Sequence, residues 1–334
     1  MHDRLHADEA FGPGTISTGH LPPNPTVDVL VEEAWNRYRG VAEGKVADYI
    51  PALAKASADW LGICVAGVDG IEHAVGDADR AFSIQSISKP FVFALVCQAL
   101  GRGRARASIG VNATGLPFNS VMAIELNADR TMNPMVNAGA IATTSLAPGA
   151  NAEARWAFIR DGLSRFAGRE LALDREVYES EAATNQRNQG IARLLQGYGR
   201  MYSDPDEATD IYTRQCALNV TARDLAVMGA TLADGGVNPV TKERVVDEDR
   251  CRRVLAVMAT AGLYEQSGDR LYEVGLPGKS GVAGGIVTIA PGKGGLAVFS
   301  PPLDGAGNSV RGQLVTRFLS ERLGLNLFAS QPAG

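Results

Sequence analysis

Ser86 and Lys89 stand three residues apart at the head of a nearly unbroken apolar run that reaches Leu100. On a helix that spacing places both side chains on one face, as a serine nucleophile requires if a lysine one turn on is to take its proton. Lysine works as a base near neutral pH only if its pKa falls from about 10.4 toward 7, a change of roughly 4 kcal/mol that burial supplies and a solvated surface does not. Phe91, Val92, Phe93, Ala94, Leu95 and Val96 follow, so this helix is expected to be buried on all sides. Alone, S-x-x-K is also the pattern of a helix cap followed by a solvated lysine. The chain has six lysines, and the pattern occurs once.

A second cluster, Gly278-Lys279-Ser280-Gly281-Val282, reads as a strand edge. Such an edge can offer a backbone N–H to a developing oxyanion, and a glycine there is expected to let substrate approach closely. Lys-Ser-Gly beside an S-x-x-K serine is the pairing of the penicillin-recognising serine enzymes. A phosphate-binding loop would need a glycine at position 273, where the chain has Glu273. Histidine is scarce: His2, His6 and His20 fall in a Gly/Pro-rich leader, so a Ser-His-Asp triad would rest on His73 alone. A His-rich zinc site cannot be built, and the base of any serine chemistry is expected to be something other than histidine.

The elements that must position these groups follow from periodicity. Residues 1–24 form an irregular tail ending in Pro22 and Pro23, with Pro25 just after. Val27, Leu30, Val31, Ala34, Trp35 and Tyr38 recur at helical spacing. Trp60 to Val68 and Ile71 to Val75 flank Asp69-Gly70, a hairpin signal. From about 105 to 150 the chain is loop-rich, and from about 152 to 262 it is helical. Ala152 to Phe166, Asp174 to Tyr198 and Thr221 to Ala233 are the expected helices, the last with a capping-box start at Thr221 and Asp224. Strands are expected at Leu271 to Val274, Gly285 to Ala290 and Gly295 to Phe299, and a final helix at Ser309 to Leu323. The fold class is α/β in the broad sense (α+β): an antiparallel sheet from about 45–85 and 265–305, flanked by helices, with a helical subdomain over 87–262. Residues 25–330 are read as a single domain, with Ser86 at the cleft where sheet and helical part meet.

Composition narrows the partners. At 334 residues, 45% hydrophobic, 21% charged and with a formal charge of −5, the chain suits a globular protein and gives no reason to expect nucleic acid or an anionic membrane. Cys64, Cys97, Cys216 and Cys251 form no C-x-x-C pair and suit buried thiols in a reducing compartment. The N-terminus has no apolar core for a secretory signal, and no segment approaches about 20 apolar residues, so a cytoplasmic location is expected.

Several longer motifs resemble one family in order: Phe82 to Pro90, Thr114-Gly115-Leu116-Pro117-Phe118-Asn119-Ser120, Asn133 to Ile141, Ser180-Glu181 with Asn185 and Asn188, Tyr212 to Cys216, Gly235 to Pro239, Gly262-Leu263-Tyr264, Gly275 to Val282 and Phe299 to Asp304. Together they span about 25 to 328 and resemble the serine-dependent glutaminases. That resemblance implies a β-lactamase/DD-peptidase-like fold and hydrolysis of L-glutamine to L-glutamate and ammonia, with no cofactor and no metal. It implies Ser86 as nucleophile, Lys89 as the group that helps remove its proton, and Tyr264 as a second acid/base. It further implies the N–H groups of Ser86 and Val282 as oxyanion hole, and Asn137, Glu181, Asn188 and Tyr212 around the amino-acid end of the substrate. Tyr49 is expected to border the same pocket, and Lys279 to be structural or electrostatic. The family's short form is generally oligomeric, so a homo-oligomer, dimer or tetramer, is expected. One buried carboxylate with several neutral donors is also what a selective pocket for a zwitterion needs. Two alternatives stay open: a penicillin-recognising acyl enzyme, disfavoured by the lack of a Ser-Asp-Asn triplet between Ser86 and Lys279, and a catalytically silent glutamine- or glutamate-binding protein.

Overall fold

A computed structural model describes residues 19–330 apart from Asp129 and Thr131; residues 1–18 of the expected tail lie outside it. Its centre is an antiparallel five-stranded sheet. The chain order is β1 (Gly62–Gly67), β2 (Glu72–Gly76), β3 (Phe82–Ser83), β4 (Asn219–Val220), β5 (Gly278–Gly281), β6 (Gly285–Ala290) and β7 (Gly294–Phe299). The large sheet runs β2-β1-β7-β6-β5, so the N-terminal hairpin and the C-terminal strands meet at β1 and β7, with Cys64 opposite Ala297. The Asp69-Gly70 turn closes β1 on β2, the Asp69 carboxylate accepting the Ile71 N–H at 3.0 Å and Gly70 standing at φ +91°.

Side chains alternate across β1. Ile63 and Val65 join one apolar cluster, beneath the helices Asn24–Tyr38 and Val310–Arg322, while Cys64 and Ala66 join the other, beneath the helix Ala222–Ala233. Both faces are covered, which is why all six β1 residues are buried. The helix Ala222–Ala233 lies so close that a Cβ on Gly295 would stand 2.1 Å from the Ala226 carbonyl oxygen. Its start is the expected capping box: Thr221 Oγ1 accepts the Asp224 N–H at 3.1 Å, and Asp224 Oδ2 accepts the Thr221 N–H at 2.7 Å.

Four expectations are corrected. Leu271 to Val274 is the end of a helix, Ser267–Val274, because Ser267, Arg270 and Val274 are buried at helical spacing while Tyr272 is 86% exposed; the C-terminal strands therefore begin at Gly278. Residues 45–61 add no strand to the sheet, only a single bridge from Lys45 to Leu303. Asp174 to Tyr198 is two helices, Arg175–Ala182 and Gln186–Gly197, broken where Thr184 bonds back to the Ser180 carbonyl and Asn185 turns inward to Thr213. The loop-rich stretch from 105 to 150 contains the helix Asn137–Ser145, buried throughout.

Candidate active site

Ser86 sits on a 3-10 turn, Gln85–Ile87, which runs directly into the helix Ser88–Leu100. Two contacts pin the turn from behind. The Ile84 N–H donates to the Leu218 carbonyl at 2.8 Å, continuing the short β3–β4 pairing, and Phe82 stacks on Phe299 of β7 with centroids 4.1 Å apart. On its other side the turn meets β5, where a Cβ on Gly281 would stand 3.1 Å from the Ile84 carbonyl oxygen. Gly281 therefore makes room for the turn that carries Ser86 rather than for substrate. Gln85, immediately before Ser86, stands at φ +51°, a left-handed conformation that costs a non-glycine residue about 1–2 kcal/mol.

Lys89 is 1% exposed, one turn on from Ser86. Its Nζ donates to Asn137 Oδ1 at 2.7 Å and lies 3.4 Å from the Met135 carbonyl oxygen, with the Phe118 and Tyr212 ring centroids each 5.9 Å away. Burial pulls its pKa down to about 8, opposed by its neighbours Cys216 and Glu181. A lysine so placed is partly neutral near pH 7 to 8 and can take a proton.

Tyr264 approaches Ser86 from the sheet side, its hydroxyl donating to the Ser280 carbonyl oxygen at 3.3 Å and lying near enough to Ser86 for the serine hydroxyl to favour the ionised phenol. It too has a left-handed backbone, φ +54°. Burial pushes its phenol up, so it stays protonated. Against its ring, 4.4 Å from the centroid, is Lys279 Nζ, which donates to the same Ser280 carbonyl at 2.8 Å. Burial, helped by the charge of Lys89, holds Lys279 well below the ordinary lysine range. Lys279 thus belongs to the wall behind Tyr264 and does not line the cavity.

Ser86 opens into a cavity of about 300 Å³, at the small end of the range for ligand pockets. Asn137, Glu181, Asn188, Tyr212 and Val282 line it, and Tyr49, 57% exposed, stands at its rim. The polar groups are linked: Asn137 Nδ2 donates to Asn188 Oδ1 at 3.0 Å, and the Tyr212 hydroxyl reaches Asn137 Oδ1 at 3.4 Å. Glu181, 8% exposed, accepts from Gln85 Nε2 at 3.3 Å. Burial raises its pKa to about 7, opposed by that hydrogen bond and by the charge of Lys89. A ligand ammonium would offset the cost of keeping it ionised. His73 lies elsewhere, on β2, its Nδ1 2.6 Å from Asp28 Oδ1.

The residues singled out in the sequence therefore converge on one cavity and the wall behind Ser86. Sequence reasoning missed Gln85 as the partner of Glu181, Asn137 as the partner of Lys89, and the buried Cys216 in the cavity wall. All three lay inside motifs already noticed, but the contacts that give them meaning cross long stretches of chain.

The family model described as Glutaminase matches residues 44–328. Glutaminase 2 of Yersinia pestis is 63% identical over 317 residues, 95% of this chain and 93% of that protein. A glutaminase of Colwellia psychrerythraea is 49% identical over 307 residues, 92% of this chain and 99% of that one. Among solved structures, a probable glutaminase, YbaS, matches with a TM-score of 0.91 at 45% identity, over 92% of this chain and 100% of its own. A Bacillus subtilis glutaminase in covalent complex with 5-oxo-L-norleucine, formed by reaction with 6-diazo-5-oxo-L-norleucine, matches with a TM-score of 0.82 at 32% identity, over 91% and 100%.

Proposed function

This chain belongs to the glutaminase family, and from that premise we propose how its residues divide the work of hydrolysis. The enzyme converts L-glutamine to L-glutamate and ammonia by a serine-dependent route on a β-lactamase-like fold. The penicillin-recognising and non-catalytic alternatives give way to that membership.

Substrate enters past Tyr49 with its ammonium toward Glu181 and its amino-acid end among Asn137, Asn188 and Tyr212. The side-chain amide carbon then faces Ser86 Oγ. Neutral Lys89 takes the hydroxyl proton as Oγ attacks, and the oxyanion is held by the N–H groups of Ser86 and Val282. Tyr264 donates its proton to the departing nitrogen, the C–N bond breaks, and ammonia leaves behind a γ-glutamyl ester on Ser86. Water then attacks the ester while Tyr264 takes its proton. The C–O bond to Ser86 breaks, Lys89 returns the proton to Oγ, and L-glutamate departs.

The observation that carries this division is the position of Ser86 between a buried lysine of lowered pKa and a buried, protonated tyrosine. Ammonia release from L-glutamine, with L-asparagine and D-glutamine in parallel, tests it. Turnover of L-glutamine alone, absent in Ser86→Ala, is expected, and substantial turnover by that variant would remove Ser86 from its role.

A homo-oligomer, dimer or tetramer, is supported by Met122 and Leu126, 55% and 72% exposed on a short helix beside the cavity loops; light scattering of the purified chain tests it. Among the described residues no helix is long and apolar enough to cross a membrane. The four cysteines are free and buried, which favours a reducing compartment such as the cytoplasm.

A further inference from the structure

Gln85 holds a left-handed backbone, φ +51°, without being glycine. Such a conformation persists only where the surroundings over-determine it. Its side chain reaches Glu181 and its C-terminal neighbour is Ser86, so its conformation sets both the serine Oγ and the serine N–H. A chain of buried polar groups ends on its carbonyl oxygen.

Ser88 Oγ lies 2.8 Å from the Gln85 carbonyl and therefore donates its only proton there. Its lone pairs are left to accept, and Gln215 Nε2 donates to it at 3.2 Å. The amide oxygen of Gln215 lies 3.1 Å from Thr144 Oγ1, whose single proton is shared between that oxygen and the Ala140 carbonyl, also 3.1 Å away. From Gln215 through Ser88 to Gln85 the donor directions run one way, so each bond polarises the next, and Thr144 anchors the amide oxygen of Gln215. All three side chains are at most 1% exposed. Three elements are tied together: Thr144 is on the helix whose first residue is Asn137, Gln215 is on the helix that carries Tyr212, and Ser88 opens the helix that carries Lys89. None of the three lines the cavity.

We propose that Thr144, Gln215 and Ser88 are positioning residues that lock the Gln85 backbone, and through it aim the Ser86 hydroxyl and N–H at the scissile amide. This rests on the assignment of Ser86 as nucleophile. The network acts on reacting geometry rather than on the substrate's amino-acid end, so its loss falls on kcat.

The test compares Ser88→Ala, Gln215→Met and Thr144→Val with wild type and with Ser86→Ala. It follows glutamine turnover, melting temperature and the second-order rate of inactivation by 6-diazo-5-oxo-L-norleucine. Ser88→Ala and Gln215→Met are expected to lower kcat and the inactivation rate together by about 10–100-fold, with KM within about threefold, since a displacement near 1 Å costs up to about 10² in rate. Thr144→Val, at the far end, should lose about three- to tenfold, and Thr144→Ser, which keeps the hydroxyl, should recover it. If Ser88→Ala does not fold, the Thr144 pair carries the test. Variants that melt earlier but keep kcat and inactivation rate within twofold of wild type, with Ser86→Ala inactive, would overturn the positioning role alone. Turnover by Ser86→Ala would overturn the nucleophile assignment and this inference with it.

Discussion

The two ends of the cavity are both largely buried but are partnered differently. At the reacting end, Lys89, Lys279 and Tyr264 are all buried, and burial drives each toward its neutral form. Two residues there, Gln85 and Tyr264, hold left-handed backbones that a glycine would adopt more cheaply. At the far end Glu181, Asn137, Asn188 and Tyr212 form a cradle of short-range hydrogen bonds, part of it open to solvent. In the proposed mechanism the first region suspends charge and stores strain so that protons can move, and the second presents fixed donors and one carboxylate so that a zwitterion can be held. Asn137 joins them, accepting from Lys89 while donating to Asn188.

Disturbing the reacting end should reach kcat, and disturbing the far end should reach KM. The largest effect is expected for Ser86→Ala, with kcat lowered by at least about 10³-fold, since removing the nucleophile of an acyl-transfer site commonly costs that or more. Residual turnover above that level would break the comparison at its root. Tyr264→Phe should lower kcat by about 10²–10⁴-fold, the usual worth of a positioned acid/base, with little change in KM. A defect confined to KM would move Tyr264 to the binding end. Glu181→Gln should lower kcat/KM by about 10–100-fold, mainly through KM, because a charge-assisted contact to the ammonium is lost; an effect on kcat alone would merge the two regions.

The smallest effect is the shape of a pH profile. The proposed mechanism uses Lys89 neutral and Glu181 ionised, with pKa values of about 8 and about 7, so kcat/KM should climb from pH 6 to 8 on both counts. Glu181→Gln should keep only the upper step. The same groups act on stability with opposite signs. Glu181 binds its proton more tightly folded than unfolded, so its contribution is full below about pH 4.5 and is lost as pH rises through about 7. Lys89 binds its proton less tightly folded, so stability gains between about pH 8 and 10.5. Denaturant midpoints of wild type and Glu181→Gln across pH 4.5 to 7 check the first sign, and a slope unchanged by the substitution would refute it.

What could be read from sequence follows the same division. Long periodic segments announced themselves: the first helix, the Asp69-Gly70 hairpin, the capped helix at Thr221 and the buried helix after Lys89. Strands β3 and β4 have two residues each, too few to show any period, yet they hold the turn that carries Ser86. Leu271 to Val274 has strand-like composition, and only burial of Arg270 and Ser267 shows that the spacing is helical. In the site, Ser86 and Lys89 were legible because their relation is local. The Lys89 to Asn137 bond, the Gln85 to Glu181 bond and the Ser88 to Gln215 bond join residues 48, 96 and 127 positions apart, which no spacing rule reaches.

The most direct test of the central claim is to find where a reactive glutamine analogue attaches. Protein inactivated with 6-diazo-5-oxo-L-norleucine, digested and mapped by mass spectrometry, should carry one adduct, on Ser86, and Ser86→Ala should carry none. An adduct on Lys89, Tyr264 or Cys216, or labelling that persists in Ser86→Ala, would contradict it.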